Sequence, residues 1–158
     1  QMCIRDRYSR DKIDDLLEMY GEMLGEELIN GIEITVPILG DKALPVVAIF
    51  PPENEEFDLE NKYNGKTQEI CPVPENIIPK EVQEKAMHIA EEAHRSIGSR
   101  HLSRTDMIVK PDGEIIVLEI NTMPGMTSQS LLPKSADASG MDFKKLVSRL
   151  VELAGSKK

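Results

Sequence analysis

Two carboxylates, an amide and a guanidinium are spaced so that one β-hairpin would bring them onto a single face. The Asp-Gly pair at 112–113 is a strong two-residue turn signal between two runs rich in Ile and Val. With that turn, Asp106 lies opposite Glu119 and Arg104 lies opposite Asn121. Side chains two positions apart on a strand share a face. The sequence therefore predicts a polar patch built from these four side chains.

The polar patch has the chemistry of a magnesium site. Like charges directly opposite each other cost about 0.2–1 kcal/mol, and a hard cation reverses that cost because Mg²⁺ takes oxygen ligands from carboxylates and phosphates. Residues 121–127 follow with Gly, Pro and hydroxyl side chains, and their free backbone N–H groups suit an anion. The alternative is an ordinary solvated hairpin face. The predicted core face of the hairpin consists of Thr105, Met107, Val109, Ile116, Leu118 and Ile120.

The first half of the chain predicts a helix and a second hairpin. Apolar residues at helical spacing predict a helix from near Asp11 to Leu24, which Gly25 would end. Residues 33–39 and 44–50 read as two antiparallel strands joined by a turn at 41–42. Pro37 lies inside the first of them, so we expect an edge or a bulge there.

The second half supplies a long loop and two further helices. Residues 51–74 are rich in Pro, Asn and acidic side chains without periodicity, which is typical of a functional loop or lid. A helix is predicted to begin at Pro79 and to end at Gly98, and Asp142 would cap a last amphipathic helix. We therefore expect an α+β fold with an antiparallel sheet flanked by three helices.

Composition narrows the classes of partner and compartment. The 158 residues suffice for one domain with a core. A net charge of −9 argues against nucleic acid, which needs basic patches. Cys3 and Cys71 form no disulfide framework, and no apolar run is long enough to span a membrane. The expectation is a soluble cytoplasmic protein without a membrane or nucleic-acid partner.

The opening residues fit nothing that follows. Residues 1–7, QMCIRDR, read either as a non-native remnant or as a disordered tail. Both interpretations exclude them from the fold and leave residues 8–158 as one domain. The remnant interpretation carries the expectation that a longer protein precedes this stretch.

The polar patch belongs to a run with a family likeness. The run SRTDMIVKPDGEIIVLEINTMPGMTSQSLLP at 103–133 resembles the C-terminal signature of D-alanine–D-alanine ligases, which are members of the ATP-grasp superfamily. The likeness extends over residues 24–154. It implies an ATP-grasp C-terminal domain in an enzyme that joins two D-alanines at the expense of ATP for peptidoglycan precursors. Full-length members of the family are typically homodimers.

The resemblance implies roles for the polar patch. Asp106, Glu119 and Asn121 would hold two Mg²⁺ or Mn²⁺ ions that bridge the phosphates of ATP. Arg104 and the backbone N–H of Gly125 would stabilise the oxyanion of a tetrahedral intermediate. The first D-alanine would be activated as an acyl phosphate, which the amine of the second would attack.

The resemblance also assigns residues outside the patch. Glu26 and Glu33 would contact the adenosine of ATP, although both can equally belong to a solvated acidic edge. Lys62 would lie near the phosphates on a mobile loop, and Tyr63 would control access of the second substrate; the plain alternative for Lys62 is a solvated lysine. Ser130 and Leu131 would hold the second substrate's carboxylate, where the alternative is a helix N-cap.

The family has an N-terminal domain for the first D-alanine and a central domain for the ATP phosphates, and neither fits before Leu24. We therefore expect a C-terminal piece that is inactive alone. Two other functions stay open. One is a different ATP-grasp carboxylate–amine ligase, and the other is a non-catalytic nucleotide-binding or oligomerisation module.

Overall fold

The computed structural model describes residues 10–51 and 67–156, with side chains described from Ile13 onwards. The predicted loop residues Lys62 and Tyr63 lie outside this part of the chain. Helices and strands of the described part follow one another in this order: α1 Arg10–Tyr20, β1 Ile32–Leu39, β2 Lys42–Ala43, β3 Val47–Phe50, β4 Gln68–Ile70, α2 Lys80–Ser96, β5 Leu102–Val109, β6 Ile115–Asn121, α3 Leu131–Ala138 and α4 Phe143–Gly155. No helix among the described residues is both long and apolar enough to cross a lipid bilayer.

One antiparallel sheet organises these elements, as the predicted α+β fold requires. Its strand order is β4-β3-β1-β5-β6, and the short β2 pairs with β1. The expected count of three helices is wrong, because α3 forms a fourth within the described residues. Pro133 lies in the first turn of α3, where the backbone N–H groups have no partner within the helix, so a proline there costs little.

The two faces of the sheet have different surroundings. On one face, apolar side chains of β1, β3 and β5 pack against α2, with Ile34 and Met107 fully buried. On the other face, Val47 and Ile49 of β3 contact Leu131 of α3. Because side chains alternate along a strand, the residues of β1 between Ile34, Val36 and Ile38 point away from α2. The polar residues of β1 therefore lie on the face of the sheet that contacts α3.

Gly31 permits the close approach of the chain to β5 just before β1 begins. A Cβ at Gly31 would lie 2.3 Å from the carbonyl oxygen of Val109 and 2.6 Å from Cγ2 of Ile108. Gly31→Ala is therefore expected to lower the free energy of unfolding by about 1–3 kcal/mol, the usual cost of overpacking. Urea denaturation measures this change. Gly25→Ala is the matched control, since an added Cβ there meets nothing within 4 Å, and equal losses in both variants would contradict the argument.

The first helix is shorter than its periodicity predicts. It ends at Tyr20 rather than near Leu24, and Gly21 takes φ +78 with its N–H donating to Leu17 O at 2.8 Å. A glycine in the left-handed region directly after the last turn is a common helix stop. The prediction that Gly25 ends this helix is therefore wrong. Residues 22–31 contain no helix and no strand before β1.

Pro37 was expected at an edge or a bulge, and the expectation of an edge strand is wrong. Strand β1 is central, with β5 on one side and two separate strands on the other. On that second side β2 pairs with Ile38 and Leu39, while β3 pairs only as far as Thr35, so the ladder is interrupted between them. Leu44 N donates to Pro37 O at 2.8 Å across this interruption. A strand residue directs its N–H and C=O to the same neighbour, so the N–H that proline lacks would point at the broken ladder. The predicted strand 44–50 is found only over Val47–Phe50, because the interruption takes up its first three residues.

The segment predicted as one long loop contains a strand. Residues 68–70 form β4, which pairs with β3 through Ala48↔Ile70 and Phe50↔Gln68. The sequence prediction of an unstructured stretch to residue 74 is therefore wrong at its C-terminal end. These three residues show no clear alternation of polar and apolar side chains, so the sequence gives no strand signal. They form a strand because they pair with β3.

Candidate functional site

The hairpin β5–β6 has the predicted register at the polar patch but not at its turn. Asp106 pairs with Glu119 and Arg104 with Asn121, as predicted. Near the turn, Lys110 N donates to Glu114 O at 2.8 Å around the three residues 111–113, and Gly113 has φ +83. A three-residue loop with a left-handed glycine is a common hairpin form. The prediction of a two-residue turn is therefore wrong.

A β-bulge reconciles the longer turn with the predicted pairs. The register shifts between Asp106 and Met107, where β6 contributes one extra residue. Below the bulge Ile116 pairs with Ile108 on the polar face, and Ile115 pairs with Val109 on the core face. The prediction that Ile116 faces the core is therefore wrong, and Leu118 has no partner in the ladder. The bulge returns Glu119 and Asn121 to the face that the sequence predicted.

Four strands contribute to one row across the α3-side face of the sheet. Val47, Thr35, Asp106 and Glu119 are successive partners in register. Directly opposite residues have Cβ atoms about 4.5–5.5 Å apart. Glu33, half-buried, stands two residues from Thr35 on the same face of β1. The sheet therefore brings Glu33 to the same face as the four patch residues.

Asp106 is held by a guanidinium and a hydroxyl. Arg104 donates from Nε to Oδ1 at 2.8 Å and from Nη2 to Oδ2 at 2.7 Å. Thr35 Oγ1 donates to Oδ1 at 2.5 Å. The side chains of Arg104 and Asp106 are only 11% and 8% exposed. Buried charges are retained when they are paired and hydrogen-bonded, as this pair is.

The opposing carboxylate and amide are more open. The Glu119 side chain is exposed and makes no hydrogen bond or ion pair with any residue in the described part of the chain. Asn121 Oδ1 accepts a hydrogen bond from Met123 N at 2.9 Å, which turns the chain out of β6 towards Gly125. The amide oxygen retains its second lone pair. Carboxylate and amide oxygens therefore remain available beside Asp106.

These donors fit a small hard cation. Asp106 retains one lone pair on Oδ2, because its other three accept from Arg104 and Thr35. Among the described residues no cluster of three or more His, Cys, Asp or Glu could hold a metal by itself. Mg²⁺ is usually held by one or two carboxylates, with waters and substrate phosphates completing an octahedron. Two carboxylates and an amide match that pattern.

The segment after β6 packs tightly on the start of α3. Ser130 Oγ accepts from Thr127 N at 3.1 Å and lies 2.9 Å from Thr127 Oγ1. A Cβ at Gly125 would lie 2.7 Å from that hydroxyl, so only glycine fits there without a shift. Ser130 occupies the N-cap position of α3, but its side chain makes no cap hydrogen bond. Leu131, 4% exposed, anchors the helix start on the sheet.

The other predicted residues are not all brought to this face. Glu26 is exposed in the segment 22–31, outside the sheet. Lys62 and Tyr63 lie outside the described residues.

Sequence reasoning missed Thr35 and the contact of β4 with α3. The alternation of polar and apolar residues in β1 is the signal that could have put Thr35 on the polar face.

At the edge of the sheet formed by β4, Lys134 of α3 forms an ion pair with Glu69. A cavity of about 240 Å³ opens there, with Cys71 on its wall. Burial raises the pKa of the Cys71 thiol, and this effect is larger than that of a hydrogen bond with Ser135, which lowers the pKa. The thiol therefore stays protonated at neutral pH.

Comparison with known proteins gives consistent matches. The family profile described as "D-ala D-ala ligase C-terminus" matches residues 6–152. A D-alanine–D-alanine ligase from Oleidesulfovibrio alaskensis is 44% identical over 142 residues, which cover 89% of this chain and 45% of the relative. One from Actinobacillus succinogenes is 39% identical and covers 92% of this chain and 46% of the relative. The chain thus spans less than half the length of these curated relatives.

Solved structures agree with the sequence relatives. A D-alanine–D-alanine ligase from Bacillus anthracis complexed with ATP matches with a TM-score of 0.74 and 34% identity, covering 93% of this chain and 47% of that one. A D-Ala:D-Ser ligase from Enterococcus faecalis matches with a TM-score of 0.73 and 29% identity, covering 92% and 43%. These neighbours support an ATP-grasp fold for the described sheet and helices.

Proposed function

Because the chain belongs to the D-alanine–D-alanine ligase family, we propose that it forms the C-terminal part of an enzyme that joins two D-alanines at the expense of ATP. The dipeptide would enter peptidoglycan precursors, and the reaction would take place in the cytoplasm. Residues 8–158 would form one ATP-grasp C-terminal domain. The single observation that carries the proposal is the pairing of Asp106 with Glu119 beside the Arg104 guanidinium.

In the proposed reaction the carboxylate of one D-alanine takes the γ-phosphate of ATP. The amine of the second D-alanine then attacks the carbonyl carbon of the acyl phosphate, and a C–N bond forms. The C–O bond to the phosphate breaks, phosphate leaves with the electron pair of that bond, and the amine loses a proton. Asp106, Glu119 and Asn121 would hold two Mg²⁺ or Mn²⁺ ions, which would supply neutralisation of the phosphate charges. Such chemistry depends on charge stabilisation and positioning rather than on a protein nucleophile.

The patch residues have roles that match their surroundings. Asp106, Glu119 and Asn121 would hold the ions, which their oxygen donors and the exposure of Glu119 support. Arg104, kept in place by its two bonds to Asp106, and the N–H of Gly125 would stabilise the oxyanion of the tetrahedral intermediate. A guanidinium and a backbone N–H are suitable donors to a developing negative charge.

The remaining roles concern ATP and the second substrate. Glu33 and Glu26 would accept hydrogen bonds from the adenosine, and the half-buried position of Glu33 on the polar face supports its part. Lys62 would contact the phosphates, and Tyr63 would control access of the second D-alanine. Ser130 and Leu131 would hold the second carboxylate at the start of α3, where the first backbone N–H groups of the helix favour an anion.

The second substrate is the point at which a related function competes. A neighbour of similar fold is a D-Ala:D-Ser ligase, so a ligase that joins D-alanine to a different amine has direct support. The metal residues would be the same in both. A substrate panel on an active enzyme separates the two, since only the second amine differs.

The proposal concerns an enzyme longer than this chain. The chain covers 45% of its relative from Oleidesulfovibrio alaskensis, so we propose that it needs further domains for turnover, and that the whole enzyme is a homodimer as is typical of the family. The chain alone is expected to show no D-alanine-dependent release of ADP.

A chimera tests the proposed activity. This chain would replace the matching C-terminal part of the Bacillus anthracis ligase, and the expected result is D-alanine-dependent release of phosphate together with the dipeptide. The same chimera with Glu119→Gln serves as the control and is expected to lose that release. A folded chimera that binds ADP with Mg²⁺ but forms no dipeptide would contradict the proposal.

A further inference from the structure

Thr35 is the buried partner of Asp106 for which the proposed chemistry has no role. It is fully buried in the central strand and lies opposite Asp106 in register. Its hydroxyl lies 2.5 Å from Asp106 Oδ1 and 3.3 Å from the carbonyl oxygen of Thr105. A hydroxyl has one proton to donate, and the shorter distance assigns it to the carboxylate. Because a β-branched side chain is stiff at χ1, this donor has a fixed direction.

The hydroxyl changes which oxygen of Asp106 can bind a cation. Oδ1 accepts from both Thr35 and Arg104 Nε, so its two lone pairs are used, whereas Oδ2 accepts only from Arg104 Nη2. We propose that Thr35 is a positioning residue that occupies Oδ1 and so limits Asp106 to coordination of the metal through Oδ2 alone. The proposal rests on the proposed function, which makes Asp106 a metal ligand.

Coordination through one oxygen has a consequence for metal choice. Mg²⁺ requires a near-ideal octahedron of about six ligands, whereas Ca²⁺ accepts about six to eight oxygens and readily takes both oxygens of one carboxylate. A carboxylate with Oδ1 blocked therefore favours Mg²⁺ and Mn²⁺ over Ca²⁺. Without the Thr35 donor, Oδ1 regains one lone pair, so Oδ1 as well as Oδ2 can offer an oxygen lone pair to a cation while Arg104 still holds the other two.

The experiment compares metal preference in three variants of this chain. Mn²⁺ binding in the presence of ADP is measured from the loss of the free Mn²⁺ signal in electron paramagnetic resonance, with Ca²⁺ as competitor. Thr35→Val removes the hydroxyl at nearly constant volume, and Thr35→Ser keeps it. Thr105→Val is the matched control, because Thr105 is equally buried one residue from Asp106 and its Oγ1 has no hydrogen-bond partner in the described structure.

The expected result is a Mn²⁺ affinity at least about tenfold lower in Thr35→Val, the usual effect of losing a donor to a ligating carboxylate, with a smaller preference for Mn²⁺ over Ca²⁺. Thr35→Ser and Thr105→Val should keep the wild-type preference. Circular dichroism checks folding, and Thr35→Ala replaces the valine variant if that variant does not fold. An unchanged preference for Mn²⁺ over Ca²⁺ in the hydroxyl-free variant overturns the proposed role of Thr35 and leaves the metal site itself intact. A wild-type chain that binds no Mn²⁺ contradicts the metal site itself.

Discussion

Asp106→Asn is expected to lower the free energy of unfolding by about 3–5 kcal/mol, because it removes the carboxylate that pairs with the buried Arg104 guanidinium. Both side chains are about one-tenth exposed, and two hydrogen bonds of 2.7 and 2.8 Å join them. In either orientation of the new amide, its nitrogen would face an N–H donor of Arg104, Nε or Nη2. Urea denaturation, with the slope checked for two-state behaviour, measures the loss.

Glu119→Gln is the matched control for this loss. Glu119 faces Asp106 across the ladder, but its side chain is exposed and makes no hydrogen bond or ion pair among the residues that the structure describes. Substitutions at such positions usually change stability by no more than about 0.5 kcal/mol. The two substitutions should therefore differ in their effect on stability, although the proposed function gives both carboxylates a role in metal binding. A loss of the same size in both variants would show that the Arg104 pair does not stabilise the fold.

Leu132→Ala is expected to cost about 2–5 kcal/mol, the range for removing a buried leucine side chain. Leu132 is fully buried in a cluster that joins α3 and α4 to the turn after β1, and the buried members of that cluster are Leu39, Leu44, Leu132, Ala136 and Leu146. The position of Ser130 depends on this packing, because α3 begins at the next residue.

Thermal or urea unfolding measures the Leu132 effect. Val151→Ala on α4 is the control, since Val151 is 67% exposed and its truncation should change stability by no more than about 0.5 kcal/mol. If Leu132→Ala unfolds with the same midpoint as the control, α3 is not held by this cluster.

The site hairpin shows how far local sequence signals reach. The Asp-Gly pair correctly predicted the position of the turn, but the loop has three residues rather than two. Such pairs fit both two-residue and three-residue loops. The bulge beside Leu118 then restored the predicted pairing of Asp106 with Glu119. Nothing in the run of apolar residues in β6 indicates a bulge, so the correct facing of the two carboxylates depended on two local errors that cancel.

Contacts between distant segments could not be predicted. Thr35 and Asp106 are 71 residues apart in sequence, and local patterns predict hairpins but not which hairpins lie side by side. The pairing of β1 with β5 places them together. For the same reason Pro37 was expected at an edge or a bulge, although β1 is a central strand. The helix α3 was left out of the expected count of three, although its start at Ser130 was considered as a helix N-cap.

Calorimetric titration of the chain with ADP, with and without Mg²⁺, tests the central claim that the β5–β6 hairpin is a metal–nucleotide site. The wild-type chain is compared with Glu119→Gln, which should stay folded, and with Asp106→Asn at a temperature where it is folded. The predicted result is binding that requires Mg²⁺ and disappears in both variants. Binding that is independent of Mg²⁺ and unchanged by either substitution would contradict the metal roles of Asp106 and Glu119.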